Sequence, residues 1–472
     1  MFKRMFIVLG LVLALTASVQ VPVLAQTVIP NDDTVLKQII LFGRHSIRSS
    51  TAILTGPPTP KSVVQYAAQD WPSFGTPPGC LTTNGQTAET YLGQYFRQYL
   101  VAEGLLLENN DRTNVAHLYF RSNCIERSFN TAYYFWTGLI QDQALTPVVH
   151  SYSIESPSCS ADPVFDPIST GVAQVNATTA LDQVKELYGD GEALTSAYNA
   201  EFSLILYALQ PPYIGSQYCP SESTTPCVNP TSGGISFSVN SQIATGSVIA
   251  LGALATTLLA ADPFVMEYAD GLTTAWGRFT EDQVSQHTRL IDLGFAIEDR
   301  SPYLAQVQSS NAASHILRAM QNAVYGYNLF GAFGNAGSQV LVVISSDNFV
   351  AGLAGLLNLH WQLPTYQPDF CAPGGALVFE LRQSRLTKKY LVRVYYTAQT
   401  FDQLRNQDIL IQPNPPPATM QLLVPGGSTS TTNLDVDFSV FQNLVRNAIN
   451  PANVEFYPSP APLPGPAACP QQ

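Results

Sequence analysis

Residues 340–344 read Val340-Leu341-Val342-Val343-Ile344, an unbroken apolar and mostly β-branched run that stops at Ser345, Ser346 and Asp347. A run this short and apolar is a strand buried on both faces. A strand of that kind needs helices on both sides of its sheet. A helical pattern follows through Val350, Leu353, Ala354 and Leu357. The same order recurs earlier. Residues 35–42 form an apolar run ending at Gly43, Arg44 and His45, and residues 117–120 precede a helical pattern through Phe129, Tyr133, Trp136 and Ile140. The expected fold class is α/β, a doubly wound mixed sheet flanked by helices, in which ligands bind beyond the strand ends.

The residues just past those ends carry the chemistry. Arg44, His45 and Arg48 place two guanidinium groups around one imidazole. Guanidinium forks match phosphate oxygens in pairs, and a neutral imidazole among them is a nucleophile. Arg127 opens the helix after the second strand, where amide dipoles already favour anions. A surface pair with a carboxylate is the other reading of Arg127 taken alone.

At 472 residues the chain suits one large domain with an insertion, or two domains. Its 22 Lys+Arg against 34 Asp+Glu give a net charge of −12, which argues against nucleic acid or an anionic membrane surface. Any anion site must be a local island of arginine. The start reads as a secretory signal peptide over residues 1–25: Lys3 and Arg4, an apolar run, then Val23-Leu24-Ala25 before Gln26. The expected location is therefore periplasmic or secreted. The uncharged residues 244–261 read as a buried helix rather than a membrane span. Export allows the cysteines to pair, though seven cannot all do so, and Cys124, in the chain entering the site, is the candidate free thiol. No metal site and no cofactor is expected, because neither Cys-x-x-Cys nor His-Glu-x-x-His spacing occurs.

Thr83-Asn84-Gly85-Gln86 reads as a capping box before Ala88, Tyr91, Leu92, Tyr95, Phe96, Tyr99 and Leu100 at helical spacing. From about Ser151 the composition turns to Ser, Pro and Cys. The expected organisation is an α/β domain over 26–150 and 294–472, with a smaller, mostly α-helical domain inserted over 151–293.

Arg44-His45-Ser46-Ile47-Arg48-Ser49-Ser50 resembles the Arg-His-Gly-x-Arg-x-Pro signature of the histidine acid phosphatases, above all their bacterial phytase-like branch. Ser46 replaces its glycine and Ser50 its proline. Gly79-Cys80-Leu81-Thr82, Glu126-Arg127-Ser128, Asp162-Pro163-Val164-Phe165-Asp166-Pro167 and the segment from Pro373 to Glu380 resemble the family in order and spacing. Where the family carries Gly-His-Asp-Thr-Asn, this chain has Ser346 for the histidine, keeps Asp347, and has Phe349 for the asparagine. The resemblance implies a phosphoglycerate-mutase-like fold and hydrolysis of small phosphomonoesters. His45 would be the nucleophile, forming a phosphohistidine, and Asp347 the proton donor. Arg44, Arg48 and Arg127 would hold the phosphate, with Ser346 a weakened fourth contact. It also suggests a local disulfide between Cys219 and Cys227. Ala52 stands where related phytases place a lysine, which implies small esters in preference to phytate. The alternative is a catalytically degenerate phosphate-ester-binding protein of the same fold, suggested by Ser346, Ser46 and Ser50. A Ser-His-Asp hydrolase is disfavoured because no Gly-x-Ser-x-Gly elbow exists.

Overall fold

In the computed structural model the side chains of the 340–344 run alternate across the central sheet. Val340, Val342 and Ile344 join one buried cluster, while Leu341 and Val343 join the other. Residues 32–50, 71–154, 162–209, 213–214, 217–218, 233–243, 246–430 and 433–469 are described. The signal-peptide segment, Ala52, Cys219 and Cys227 lie outside them.

The sheet is built from β1 (Thr34–Arg44), β2 (Leu118–Ser122), β3 (Val149–His150), β4 (Val340–Ser345), β5 (Ala376–Ser384), β6 (Tyr390–Ala398), β7 (Ala418–Gln421), β8 (Val436–Asp437) and β9 (Pro462–Leu463). Its order is β7-β6-β5-β1-β4-β2-β3-β9, with β8 paired to β6. Strands β1, β4, β2 and β3 run parallel, whereas β5, β6 and β7 extend the sheet antiparallel from β1. The sheet is thus mixed, as expected from the sequence.

On one face lie α1 (Thr83–Ala102) and α2 (Glu126–Leu139), which cover Leu41, Phe120 and Val342 with Leu92, Phe96, Phe129, Phe135 and Trp136. Glycine brings the two helices into contact: a Cβ on Gly93 would run into the Phe135 carbonyl. The N-cap of α1 is Thr82, one residue before the expected box, and its hydroxyl accepts from the Gly85 amide at 3.0 Å. On the other face α5 (Pro302–Tyr325) and α6 (Asp347–Leu357) pack Ala313, Ile316, Val350 and Leu353 near Ile40, Phe42 and Leu341. That cluster continues into α3 (Ala253–Ala269) and α4 (Glu281–Glu298).

Two readings need correction. The apolar stretch taken as one buried helix contains a strand at Ile249–Gly252, paired to Ile235–Val239, before α3 begins. Gly252 at φ +61° breaks it there, a conformation that a side chain disfavours. Cys124 is also not the free thiol, because it is disulfide-bonded. Among the described residues the free cysteine is Cys371, fully buried, and burial pushes its thiol well above the ordinary range. A second bridge joins Cys80 to Cys469, across 389 residues, and ties the chain end to the turn before α1.

Candidate phosphate site at the strand ends

Register assembles the site. Arg44, the last residue of β1, lies opposite Ser345, the last of β4, and Ser122 ends β2 opposite Ile344. The chain therefore leaves three neighbouring parallel strands at one level, the switch point between β1 and β4 where α/β sheets open a crevice. Backbone bonds hold the turn after β1. His45 N–H donates to the Ser345 carbonyl at 2.9 Å, Arg44 N–H to Gly375 at 2.9 Å, and Gly374 N–H to the His45 carbonyl at 3.1 Å.

His45 is buried, and its Nδ1 lies 2.8 Å from the Ser46 carbonyl. A carbonyl only accepts, so Nδ1 carries the proton and Nε2 keeps the lone pair. Burial first, then the guanidinium groups of Arg127, Arg44 and Arg48, hold the imidazole well below its usual pKa. The four residues singled out in the two strand-end turns thus form one electrostatic cluster.

Each arginine is anchored and still holds donors in reserve. Arg44 donates from Nη1 to the Cys371 carbonyl at 2.6 Å, and its Nη2 forms an ion pair with Asp347 Oδ2 at 2.9 Å. Arg48 donates from Nη1 to the Ser49 carbonyl at 3.2 Å. Arg127, at the start of α2, reaches the Gly79 carbonyl at 3.4 Å, and burial together with Arg48 pushes its pKa down to about 10. The Nε–H of all three is buried without an acceptor. Buried donors are seldom left unpaired, and three convergent guanidinium groups with spare donors suit an anion with several oxygens.

Asp347 opens α6, and Ser346 occupies the N-cap position before it. The Ser346 hydroxyl caps no amide, and the residue is 9 % exposed. Its carbonyl accepts the Val350 amide at 3.4 Å, while its side chain makes no capping bond to the helix.

Sequence reasoning missed Asp262, on α3. Both its carboxylate oxygens take Arg48 Nη2, at 3.0 and 2.8 Å, and Oδ1 lies 3.9 Å from Arg44 Nη2. Asp262 is the first charged residue after Glu222, an isolated acid in an apolar stretch, which is the signal that could have found it. Two supporting residues were also missed. Glu126 accepts the Leu81 amide at 3.0 Å and the Asn130 amide group at 2.5 Å. Thr131 Oγ1 accepts the Ser46 amide at 3.0 Å while donating to the Arg127 carbonyl at 2.7 Å, and so joins the two turns.

Residues 241–397, which include Asp262, Ser346 and Asp347, match the model of the histidine phosphatase superfamily (branch 2). Over 448 residues the chain is 27 % identical to phytase AppA of Escherichia coli K12, covering 92 % of this chain and 97 % of that one. It is 26 % identical over 415 residues to a glucose-1-phosphatase of Providencia rettgeri, covering 86 % and 91 %. Among solved structures it resembles Hafnia alvei phytase in complex with tartrate, with a TM-score of 0.75, 24 % identity, and coverage of 90 % of this chain and 99 % of the other.

Proposed function

We propose that the chain, which matches the model of branch 2 of the histidine phosphatase superfamily over residues 241–397 and is similar along most of its length to a phytase and a glucose-1-phosphatase, is an exported hydrolase of small phosphomonoesters working through a phosphohistidine. One observation carries the reading: a buried histidine held neutral by three arginines that keep unspent donors. Nε2 of His45 attacks phosphorus in line with the ester oxygen, and the P–O bond breaks. The arginines take up the charge on the equatorial oxygens. Asp347 gives its proton to the departing alcohol. Water then attacks phosphorus and gives a proton back to Asp347, the N–P bond breaks, and His45 returns with phosphate released. Asp347 is held beside the site by Arg44, and Ser346 supplies at most a neutral hydrogen bond where the family's histidine would be charged.

The relatives include both a phytase and a glucose-1-phosphatase, and we assign this chain to small esters. Export fits the two disulfide-bonded positions, Cys80–Cys469 and Cys124. No helix of the described residues is long and apolar enough to cross a membrane. Residues 151–293 are assigned to the inserted domain, with α4 spanning its C-terminal edge.

The deciding experiment is rapid quench with 4-nitrophenyl phosphate. The proposal expects a burst of nitrophenol and an acid-labile phosphoenzyme, absent in His45→Ala, which still binds phosphate. The degenerate-binder reading is favoured by Ser346 and by the engagement of Asp347 with Arg44. It expects phosphate binding with neither burst nor label in the wild-type protein.

A further inference from the structure

The buried stripe of α1 runs Gly85, Ala88, Glu89, Leu92, Gly93, Phe96. Glu89 thus places an acid on the face of an amphipathic helix that packs against the sheet, and the residue is 1 % exposed. A carboxyl in such a position is costly unless something receives it. What meets it is Ser46, the residue that replaces the glycine of the first motif and is itself fully buried. Ser46 Oγ and Glu89 Oε1 are both buried beside Gly374, and neither has a hydrogen-bond partner among the described residues. The contact is a loose one. The third wall is Gly374: a Cβ there would strike Glu89 Oε1 and stand 3.5 Å from Ser46 Oγ.

Ser46 and Gly374 both belong to the frame of the nucleophile. The Ser46 carbonyl fixes His45 Nδ1, the Ser46 amide is tied to Thr131, and the Gly374 amide holds the His45 carbonyl. We propose that Ser46 and Glu89 form a positioning pair behind His45, in which the carboxyl and hydroxyl together lock the 45–46 peptide so that Nε2 keeps its line of attack. This rests on the phosphohistidine reading above. Burial pushes the Glu89 carboxyl up to about 8, with the Ser46 hydroxyl pulling weakly the other way. Glu89 is accordingly a neutral acid over the range in which an acid phosphatase works, able to donate as well as accept. The departure at Ser46 is then one half of a matched change and not damage to the pocket.

The test is a double-mutant cycle on the full chain: Ser46→Gly, Glu89→Leu, the double variant, and Glu89→Gln. Turnover of 4-nitrophenyl phosphate is measured together with the ¹⁵N signals of the His45 ring, assigned by their loss in His45→Ala. Each of Ser46→Gly and Glu89→Leu removes one member of the pair and leaves the other facing an apolar neighbour, so kcat should fall about tenfold with KM within about twofold. The double variant removes both groups and should recover most of the loss. Glu89→Gln keeps a neutral partner of the same shape and should retain most turnover. In the ring spectra, the single tautomer of the wild type should become a mixture in Glu89→Leu. Losses that simply multiply in the double variant, or a His45 tautomer unmoved by either single change, overturn the pair. If Glu89→Leu does not fold, Ser46→Gly with and without Glu89→Gln gives the same comparison. A wild-type protein without turnover sinks the hydrolase reading, while the ring spectra still judge the pair.

Discussion

If phosphate binds at the proposed site, it and Asp262 compete for the same guanidinium, and this makes Asp262→Asn the most informative substitution there. The carboxylate takes Arg48 through both oxygens, at 3.0 and 2.8 Å, and also faces Arg44. Its side chain is 24 % exposed, against 9 % for Arg48, so solvent weakens the pair without dissolving it. Hydrogen bonds to charged groups contribute about 1.5 to 3 kcal/mol, and partial exposure sets this one near the lower end. A phosphate that reaches Arg48 must give back that amount. Replacing the carboxylate by an amide keeps its size and leaves the guanidinium poorly matched. Inorganic phosphate should then bind about tenfold more tightly, from about 1.4 kcal/mol. The free protein should lose stability, because three arginines near one another lose a counter-charge, and saturating phosphate should restore it. Titration calorimetry and phosphate-dependent melting measure both arms. Phosphate affinity unchanged or weakened in Asp262→Asn refutes the competition. A far larger drop in kcat for Asp262→Asn than for Asp347→Asn would move the proton donor from α6 to α3.

Ser346→His should raise turnover on aryl phosphates by about tenfold at acidic pH, since a charged donor replaces a hydroxyl that caps nothing; an unchanged rate at intact phosphate affinity rules Ser346 out as the limiting residue. Stability should fall as pH rises from 6.5 to 8.5. Burial raises Glu89 and Glu267 to about 8, so their unfolded forms have already ionised while the folded ones take up charge only near pH 8. The lowered histidines, His287 at about 4 and His315 at about 3, act with the opposite sign but only below about pH 6.5. Urea midpoints should show this drop, and Glu89→Gln should shrink it. Cys469→Ser opens a closure of 389 residues and should lower unfolding stability by about 2 to 5 kcal/mol, read from denaturant titration; an unchanged midpoint means the chain end is held by other contacts. The specificity constant should favour a simple sugar phosphate over phytate, and a large advantage for phytate would overturn the small-ester assignment.

The parts of this fold written in the sequence are those set by a local period. Residues 340–344 announce a buried strand because every residue packs on one face or the other, and in 35–42 Leu36, Ile39, Ile40, Leu41 and Phe42 do the same. The helix of α1 shows in its aromatic stripe, with an error of one residue at the cap. The apolar stretch before Asp262 misled because composition alone does not separate a strand from a buried helix, and only Gly252 marks the break. The thiols misled for another reason. Nothing near Cys124 in the chain reveals a disulfide, and nothing near Cys371 reveals its burial, which is set by contacts distant in sequence.

The site divides along the same line. Arg44, His45, Arg48, Arg127 and Asp347 were legible because each stands at a strand end or helix start, and the register of β1, β4 and β2 brings those ends level. Asp262 and Glu89 were not, because each lies inside a helix and acquires meaning only from what faces it. Yet their roles follow from charge. Three arginines and a neutral histidine cannot stand together empty without anions of their own, and Asp262 and Asp347 supply two. Both carboxylates touch the guanidinium donors that a phosphate would need, so binding is an exchange of anions and not the filling of a bare cationic hole. An exchange site binds phosphate less tightly than its arginine count implies, and for a hydrolase whose second product is phosphate, weaker holding of the free anion speeds its release.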